Sequence, residues 1–219
     1  MSDTLELFSA RVCPFAHRSR LVLMEKGLEF TLTEVDLSNK SDRFMQVSAY
    51  GKVPALVHGA VQIYESAIIN EYIDEVFPEP PLLPGSPAGR AAARIWIDYC
   101  NHHFVDDYYA LIRSADPEKQ SEHRKCVEDQ LRFVEYHALA NGGDAGPYWF
   151  GAAPTLVDFA WYPHFERLPA WTHYRGVKIP PDCSRLLGWI NAMRERDSVQ
   201  SIANSSDYYI ERYKHYATG

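Results

Sequence analysis

Cys13 stands in a setting that could do chemistry. Cys13-Pro14-Phe15-Ala16 falls where the alternating Leu5-Glu6-Leu7-Phe8, a strand pattern, gives way to a helical run from Pro14 to Lys26. Proline suits the first helical position, because the N–H it lacks would have no partner there. Cys13 is thereby placed at or next to the helix N-cap. Backbone N–H groups and the positive end of the helix dipole favour thiolate over thiol at that place, and thiolate is the nucleophile of thiol exchange. The competing reading is a buried, inert cysteine, the common state of a lone Cys; the strand–Cys-Pro–helix setting tips the balance away from it. Ala16 occupies the place where a dithiol motif would carry its second cysteine, so a mixed disulfide on Cys13 would need an external thiol to resolve it. His17, Arg18 and Arg20 could lower the thiol's pKa, but residues this far into a helix more often form a solvated face. Cys100, Cys126 and Cys183 lie within or beside helical patterns and read as inert.

Two further motifs carry chemistry. Lys52-Val53-Pro54-Ala55 precedes a short apolar run. In a thioredoxin-like arrangement this proline would be cis and would turn the Val53 backbone outward, to pair with an extended peptide as an added strand does. An ordinary trans-proline at a strand start is the other reading. Tyr64-Glu65-Ser66 ends a strand and opens a helix. Ser66 as N-cap, with Glu65 adding negative charge, explains the pair by capping alone. The functional reading is a clamp for an α-amino acid head: amides and the Ser66 hydroxyl for the carboxylate, Glu65 for the ammonium.

The elements that must position these residues fall into two halves. Strands at Leu5–Phe8 and Phe30–Val35 flank the helix that Gly27 closes, and Ala55–His58 and Val61–Tyr64 form a hairpin at Gly59-Ala60. A helix follows from Ser66 to about Val76. The stretch Phe77–Gly89 holds Pro78, Pro80, Pro81, Pro84 and Pro87 and reads as a stiff linker. Beyond it the pattern is helical: Arg90–Ala115, Glu118–Ala140, Thr155–Arg167 with a Thr155/Asp158 capping box, Ser184–Arg196 and Asp207–Tyr216. The fold class expected is therefore α/β plus all-α, with residues 1–77 a thioredoxin-like domain, 78–89 the linker and 90–219 an all-helical domain.

Bulk properties narrow the function classes. With 219 residues the chain can bury a real core, and 46% hydrophobic with 23% charged residues is ordinary globular composition. A net charge of -7 argues against nucleic acid or anionic membrane as partner. No long apolar segment and no basic-then-apolar start is present, so a cytoplasmic location is expected. The cysteines make no Cys-x-x-Cys pair, and the neighbouring His102 and His103 are too isolated for a metal site; no metal is expected.

The ordered set Cys-Pro-Phe-Ala, Asp36-Leu37-Ser38-Asn39-Lys40, Gly51-Lys52-Val53-Pro54 and Tyr64-Glu65-Ser66-Ala67-Ile68 resembles the omega class of glutathione transferases. The resemblance continues through Glu71–Glu75 and Leu82-Leu83-Pro84, and returns at Phe150-Gly151, Asp158 and Phe165-Glu166-Arg167-Leu168. It implies glutathione as co-substrate, a catalytic Cys13 able to form a mixed disulfide with it, and Phe15 lining the site. Lys40 would approach the glycine carboxylate, the Val53 backbone beside cis-Pro54 would pair with the cysteinyl unit, and Glu65 and Ser66 would hold the γ-glutamyl end. The helical domain would supply the second-substrate pocket, for a small electrophilic, disulfide or oxidised substrate. Tyr99, His103 and Tyr208 are its candidate lining, and a homodimer is the family's usual assembly. The segment Trp171–Cys183 matches no pattern of the family.

Three functions compete. Thiol transfer or reduction, including dehydroascorbate-type activity, uses Cys13 as nucleophile. Conjugation instead stabilises the thiolate of glutathione, a task usually given to Ser or Tyr; a cysteine there favours exchange, since it can be covalently capped. A regulatory or binding protein on the same fold is the third, and the full set Cys13, Lys40, Val53, Glu65 and Ser66 argues against it, since a purely interacting protein has no need of all five.

Overall fold

The computed structural model describes residues 4–139 and 146–218. Its contacts divide the chain into two compact units, the first ending at Leu82 and the second beginning at Leu83. The first is a four-stranded sheet with helices: β1 (Leu5–Ser9), α1 (Pro14–Glu25), β2 (Phe30–Glu34), α2 (Asp42–Val47), β3 (Ala55–His58), β4 (Val61–Tyr64) and α3 (Ser66–Val76). The strand order is β2-β1-β3-β4, with β1 parallel to β2 and antiparallel to β3, and β3 antiparallel to β4. This is the thioredoxin-like half that the βαβ–ββα pattern predicts. Leu5, Leu7 and Phe8 of β1 are buried, as are Leu21, Val22 and Leu23 of α1 and Ile69 and Ile73 of α3. Phe44 of α2 brings its ring centroid to 5.8 Å from that of Phe8.

Why α1 starts and stops where it does is local. Pro14 takes its first turn, and past the C-cap Lys26, Gly27 adopts φ 62°, which costs an L side chain and not glycine. Lys26 itself turns inward. Its buried Nζ pairs with Asp74 at 2.7 Å and donates to the carbonyls of Phe77 and Pro80, while Asp74 accepts from Leu82 N. Three acceptors around one ammonium are what a desolvated lysine requires. Residues 77–82 are thus tied to the first unit, the Glu79–Pro80 bond is cis, and Pro87 already lies in the next helix. The proline stretch is a fastened turn followed by a short connection, where the sequence reads as one spacer.

The second unit is helical: α4 (Pro87–Tyr99), α5 (Val105–Arg113), α6 (Pro117–Val134), α7 (Leu156–Glu166), α8 (Leu168–Arg175), α9 (Ser184–Arg194), α10 (Asp197–Gln200) and α11 (Ser206–Thr218). The run expected over Arg90–Ala115 is two α-helices joined through a π-helical turn at Cys100–Phe104, and a second π turn at Glu135–Leu139 follows α6. Ala140, the expected end of that helix, lies outside the described residues. The capping box at Thr155 and Asp158 is formed. Asp158 is fully buried and also accepts from Trp149 N at 3.2 Å and Trp189 Nε1 at 2.8 Å. No described helix is long and apolar enough to cross a membrane.

Candidate active site

Cys13 is the N-cap of α1, with extended backbone (φ -73°, ψ 121°), and it is partly exposed. Its own N–H is held by Ala10 O at 2.9 Å and its carbonyl accepts from His17 N, so the chain's turn from strand to helix is fixed at this residue. The side chain makes no capping hydrogen bond. Instead Sγ lies 3.8 Å from the Val53 carbonyl, to which the S–H donates. The expectation of amide donors turned onto the sulfur is corrected to this extent: the sulfur stands at the helix N-terminus without a capping hydrogen bond, and one contact it makes is with a carbonyl. Cys13 and Val53, distant in sequence, are neighbours.

The other cysteines differ. Cys100 is buried with Sγ 3.8 Å from Ala160 O. Cys183 is buried, and desolvation first, then the Glu135 and Asp182 carboxylates, push its thiol up to about 11. Cys126 is exposed on α6.

The Val53–Pro54 peptide is cis, and both residues are buried. The loop before them is pinned by Ser48, whose hydroxyl accepts from Lys52 N at 3.1 Å and donates to Lys52 O at 2.8 Å. Gly51 in this loop has φ 58° and is buried. A Cβ there would meet the Met45 thioether at 3.1 Å, and Lys40 Nζ lies 3.8 Å from the same point. Lys40 is exposed, and the loop conformation brings its ammonium over Gly51, next to the Lys52-Val53-Pro54 run.

At the start of α3 the structure changes the expected roles. Glu65, exposed, is the N-cap, and Ser66 is the first helical residue. Glu65 is the only described non-glycine residue with positive φ, at 71° with ψ 115°. Ser66 is buried, and its Oγ lies 3.5 Å from Arg18 Nη1. His17, Arg18 and Arg20 are corrected too: they are 0%, 1% and 5% exposed, not a solvated face. The guanidinium of Arg18 sits 4.7 Å above the ring of Phe15, and Arg20 Nη2 donates to Arg11 O. Arg18 is the residue that sequence reasoning undervalued. The signal that could have found it is its i+3 spacing from Phe15 on a helix both of whose flanks are covered.

The three residues suggested for a second-substrate pocket separate into two groups. The rings of Tyr99 and His103 are tilted against each other with centroids 4.9 Å apart, and Tyr99 also lies against Trp96, Phe133 and Trp161. Burial, with Asp107 adding, holds the Tyr99 hydroxyl above its ordinary pKa. Tyr208 belongs to α11, where it packs on Tyr209 and Arg212 and lines a hollow of about 640 Å³ with Glu211, Arg212, Lys214 and His215. No group of three or more His, Cys, Asp or Glu able to hold a metal occurs among the described residues.

A thioredoxin-like unit with a cysteine at the N-cap of its first helix, a cis-proline loop and a Glu-Ser turn, followed by a helical unit, is the architecture to set beside known proteins. The model for "Glutathione S-transferase, N-terminal domain" matches residues 12–76, and that for the C-terminal domain matches residues 95–192. Glutathione S-transferase U22 of Arabidopsis thaliana is 30% identical over 217 residues, spanning 98% of this chain and 97% of its own length. Among solved structures, glutathione transferase Omega 3C from Trametes versicolor is similar at 30% identity and TM-score 0.86, over 99% of this chain and 91% of that one. Rice GST1, solved in complex with glutathione, is similar at 30% identity and TM-score 0.88, over 100% of this chain and 98% of that one. This chain belongs to the glutathione S-transferase family.

Proposed function

We propose that this protein is a glutathione-dependent thiol transferase of the omega type, with Cys13 as its nucleophile. The sequence relatives are mostly plant transferases, up to 32% identical, while an omega protein stands among the structural neighbours at 30% identity. The residue at position 13 is what supports the reading: a partly exposed cysteine at a helix N-cap, with its sulfur 3.8 Å from the Val53 carbonyl.

Glutathione lies along the Val53 backbone, its γ-glutamyl ammonium on Glu65, its α-carboxylate on Ser66 and its glycine carboxylate toward Lys40. Once Cys13 has lost its proton it has nothing to donate to Val53 O, and the N-terminal amides of α1 are the donors within its turn. The thiolate attacks the glutathione sulfur of a mixed disulfide with substrate. A bond forms between Sγ and that sulfur, and the substrate leaves as thiolate and takes up a proton. A second glutathione, as thiolate, attacks the same sulfur, giving oxidised glutathione and restoring the Cys13 thiolate. The substrate disulfide is reduced and glutathione is oxidised, so the electrons balance.

Conjugation of glutathione to electrophiles is the second reading, favoured by the transferase names of the plant relatives. Parallel assays of disulfide exchange and of aryl-halide conjugation separate the two. Cys13→Ser keeps a hydroxyl that can hydrogen-bond bound glutathione thiolate but cannot form the disulfide. It should lose exchange by at least about a hundredfold, the low end for removing a catalytic group, while conjugation holds or rises. Equal exchange rates for wild type and Cys13→Ser would sink the assignment.

A further inference from the structure

Met45 is the outward-facing apolar residue of α2. Phe44 and Val47 of the same helix are buried, whereas Met45 is 48% exposed. Its thioether nevertheless has a fixed place. Sδ and the terminal methyl both lie 3.1 Å from where a Cβ on Gly51 would stand, and Lys40 Nζ lies 3.8 Å from the same point. Glycine at 51 is what lets the sulfur come this close to the backbone. Sulfur and ammonium are thus neighbours over one residue, in the loop that runs on to Val53 and cis-Pro54. A thioether is a weak acceptor, so it leaves the ammonium available to a ligand. The other described methionines differ: Met24 is partly buried and Met193 is fully buried.

Resting on the reading that the site takes glutathione, we propose that Met45 is a peroxide-sensitive modification site, whose conversion to the sulfoxide weakens glutathione binding by giving Lys40 an acceptor within the chain. Hydrogen peroxide gives one oxygen atom to Sδ: an S–O bond forms, the O–O bond breaks, and water leaves. The sulfur loses two electrons and the peroxide gains them. The product is a polar side chain in place of an apolar one, with its oxygen beside a charged donor. A hydrogen bond from an ammonium is among the stronger ones, and it competes with the ligand's glycine carboxylate for Lys40. The oxidant that raises the supply of disulfide substrate thereby lowers the protein's hold on glutathione. Met45 does not touch the reacting sulfur, so its effect falls on binding and not on the chemical step.

Peroxide treatment of Cys13→Ser, which has no site thiol to oxidise, tests this by peptide mapping and by calorimetric titration with glutathione. Met45 should gain one oxygen well before Met24 and Met193. The Kd for glutathione should then rise about three- to fivefold, the worth of an exposed ion pair. Methionine sulfoxide reductases, one for each sulfoxide epimer, should restore it. In the same background Met45→Leu, of similar volume and without sulfur, should keep the untreated affinity and ignore peroxide. Lys40→Ala should start weaker and respond no further, because the new acceptor has no ammonium to capture. Oxidation of Met24 or Met193 ahead of Met45 would overturn the proposal, and so would a Met45 sulfoxide with unchanged affinity. An equal response in Lys40→Ala would overturn it too, since the sulfoxide would then act by displacing the loop. Should Met45→Leu fail to fold, reductase treatment carries the comparison: affinity that returns as Met45 is reduced supports the proposal, and affinity that does not return overturns it. Untreated wild type failing to bind glutathione would overturn the functional reading itself, an outcome visible before any peroxide is added.

Discussion

Glu65 shows how a single residue can be placed against its own backbone preference. At φ 71° and ψ 115° an L side chain is strained, and glycine is not. Strain of this kind persists where the surroundings enforce it: β4 ends at Tyr64, and Ile69 N bonds to Glu65 O at 2.9 Å to begin α3. Glu65→Gly should therefore raise stability by about 1 kcal/mol, the lower end of such strain, while glutathione affinity falls, since the carboxylate is gone. Glu65→Ala should lose the affinity and gain no such stability. Urea denaturation beside calorimetric titration reads the two effects; a glycine variant no more stable than the alanine one would remove the strain argument. The same corner shows what a sequence displays and what it hides. Cys-Pro, Val-Pro and Glu-Ser announce their places because proline, a cap residue or a strand end fixes the local backbone. Arg18 does not, because its burial depends on what α1 packs against, and helical spacing alone assigns such a charge to water.

At the level of elements, polar side chains that settle the helix ends hold the second unit together. Asp158 does most: it caps α7 with Thr155 and reaches Trp149 N and Trp189 Nε1, so a single carboxylate joins α7 to the chain before it and to α9. Asp158→Ala should lower stability by about 2–4 kcal/mol, combining a lost cap with buried donors left unpaired. Burial pushes the Asp158 carboxyl up to about 6, with the Thr155, Trp189 and Trp149 donors pulling against it. An aspartate in an unfolded chain titrates near ~3.9. Between those values the folded state holds more protons than the unfolded one, so this group's contribution to stability falls as pH rises through about 6. Denaturation midpoints across pH 4 to 7 should therefore show a component of that sign in wild type and not in Asp158→Asn; the same pH dependence in both would place the titration elsewhere. The capping box was legible as a spacing. Its reach to the tryptophans was not, because those contacts join distant parts of the chain. The helix α8 was missed for a local reason: Pro169 looks like a breaker, yet it sits in the first turn, where proline is tolerated, and Gly176 at φ 67° ends the helix. The π turn at Cys100–Phe104 left no mark that helical periodicity can register, since the buried Ala93, Ile97, Cys100, Phe104, Tyr108 and Leu111 keep spacings of three and four throughout.

For the whole molecule, charge is the property that bears on the ligand. The chain carries -7, and glutathione near neutral pH has two carboxylates and one ammonium, so the approach of one to the other is repulsive at long range. Attraction must come from cations at the site itself, and Lys40 over Gly51 is an exposed one. Salt acts on both effects. It screens the global repulsion, which helps binding, and it screens the exposed Lys40 contact, which hinders it. A titration of wild type alone cannot separate them, but the ratio of wild-type to Lys40→Ala affinity can. The global repulsion is nearly the same for both proteins and cancels, leaving the local pair. An exposed ion pair contributes up to about 1 kcal/mol, so the ratio should be about three- to fivefold at low ionic strength. It should shrink toward unity as the Debye length drops to about 3 Å near 1 M salt. A ratio that stays constant would mean that Lys40 acts by packing its stem rather than through charge. A ratio of one at every salt concentration would take Lys40 out of the site.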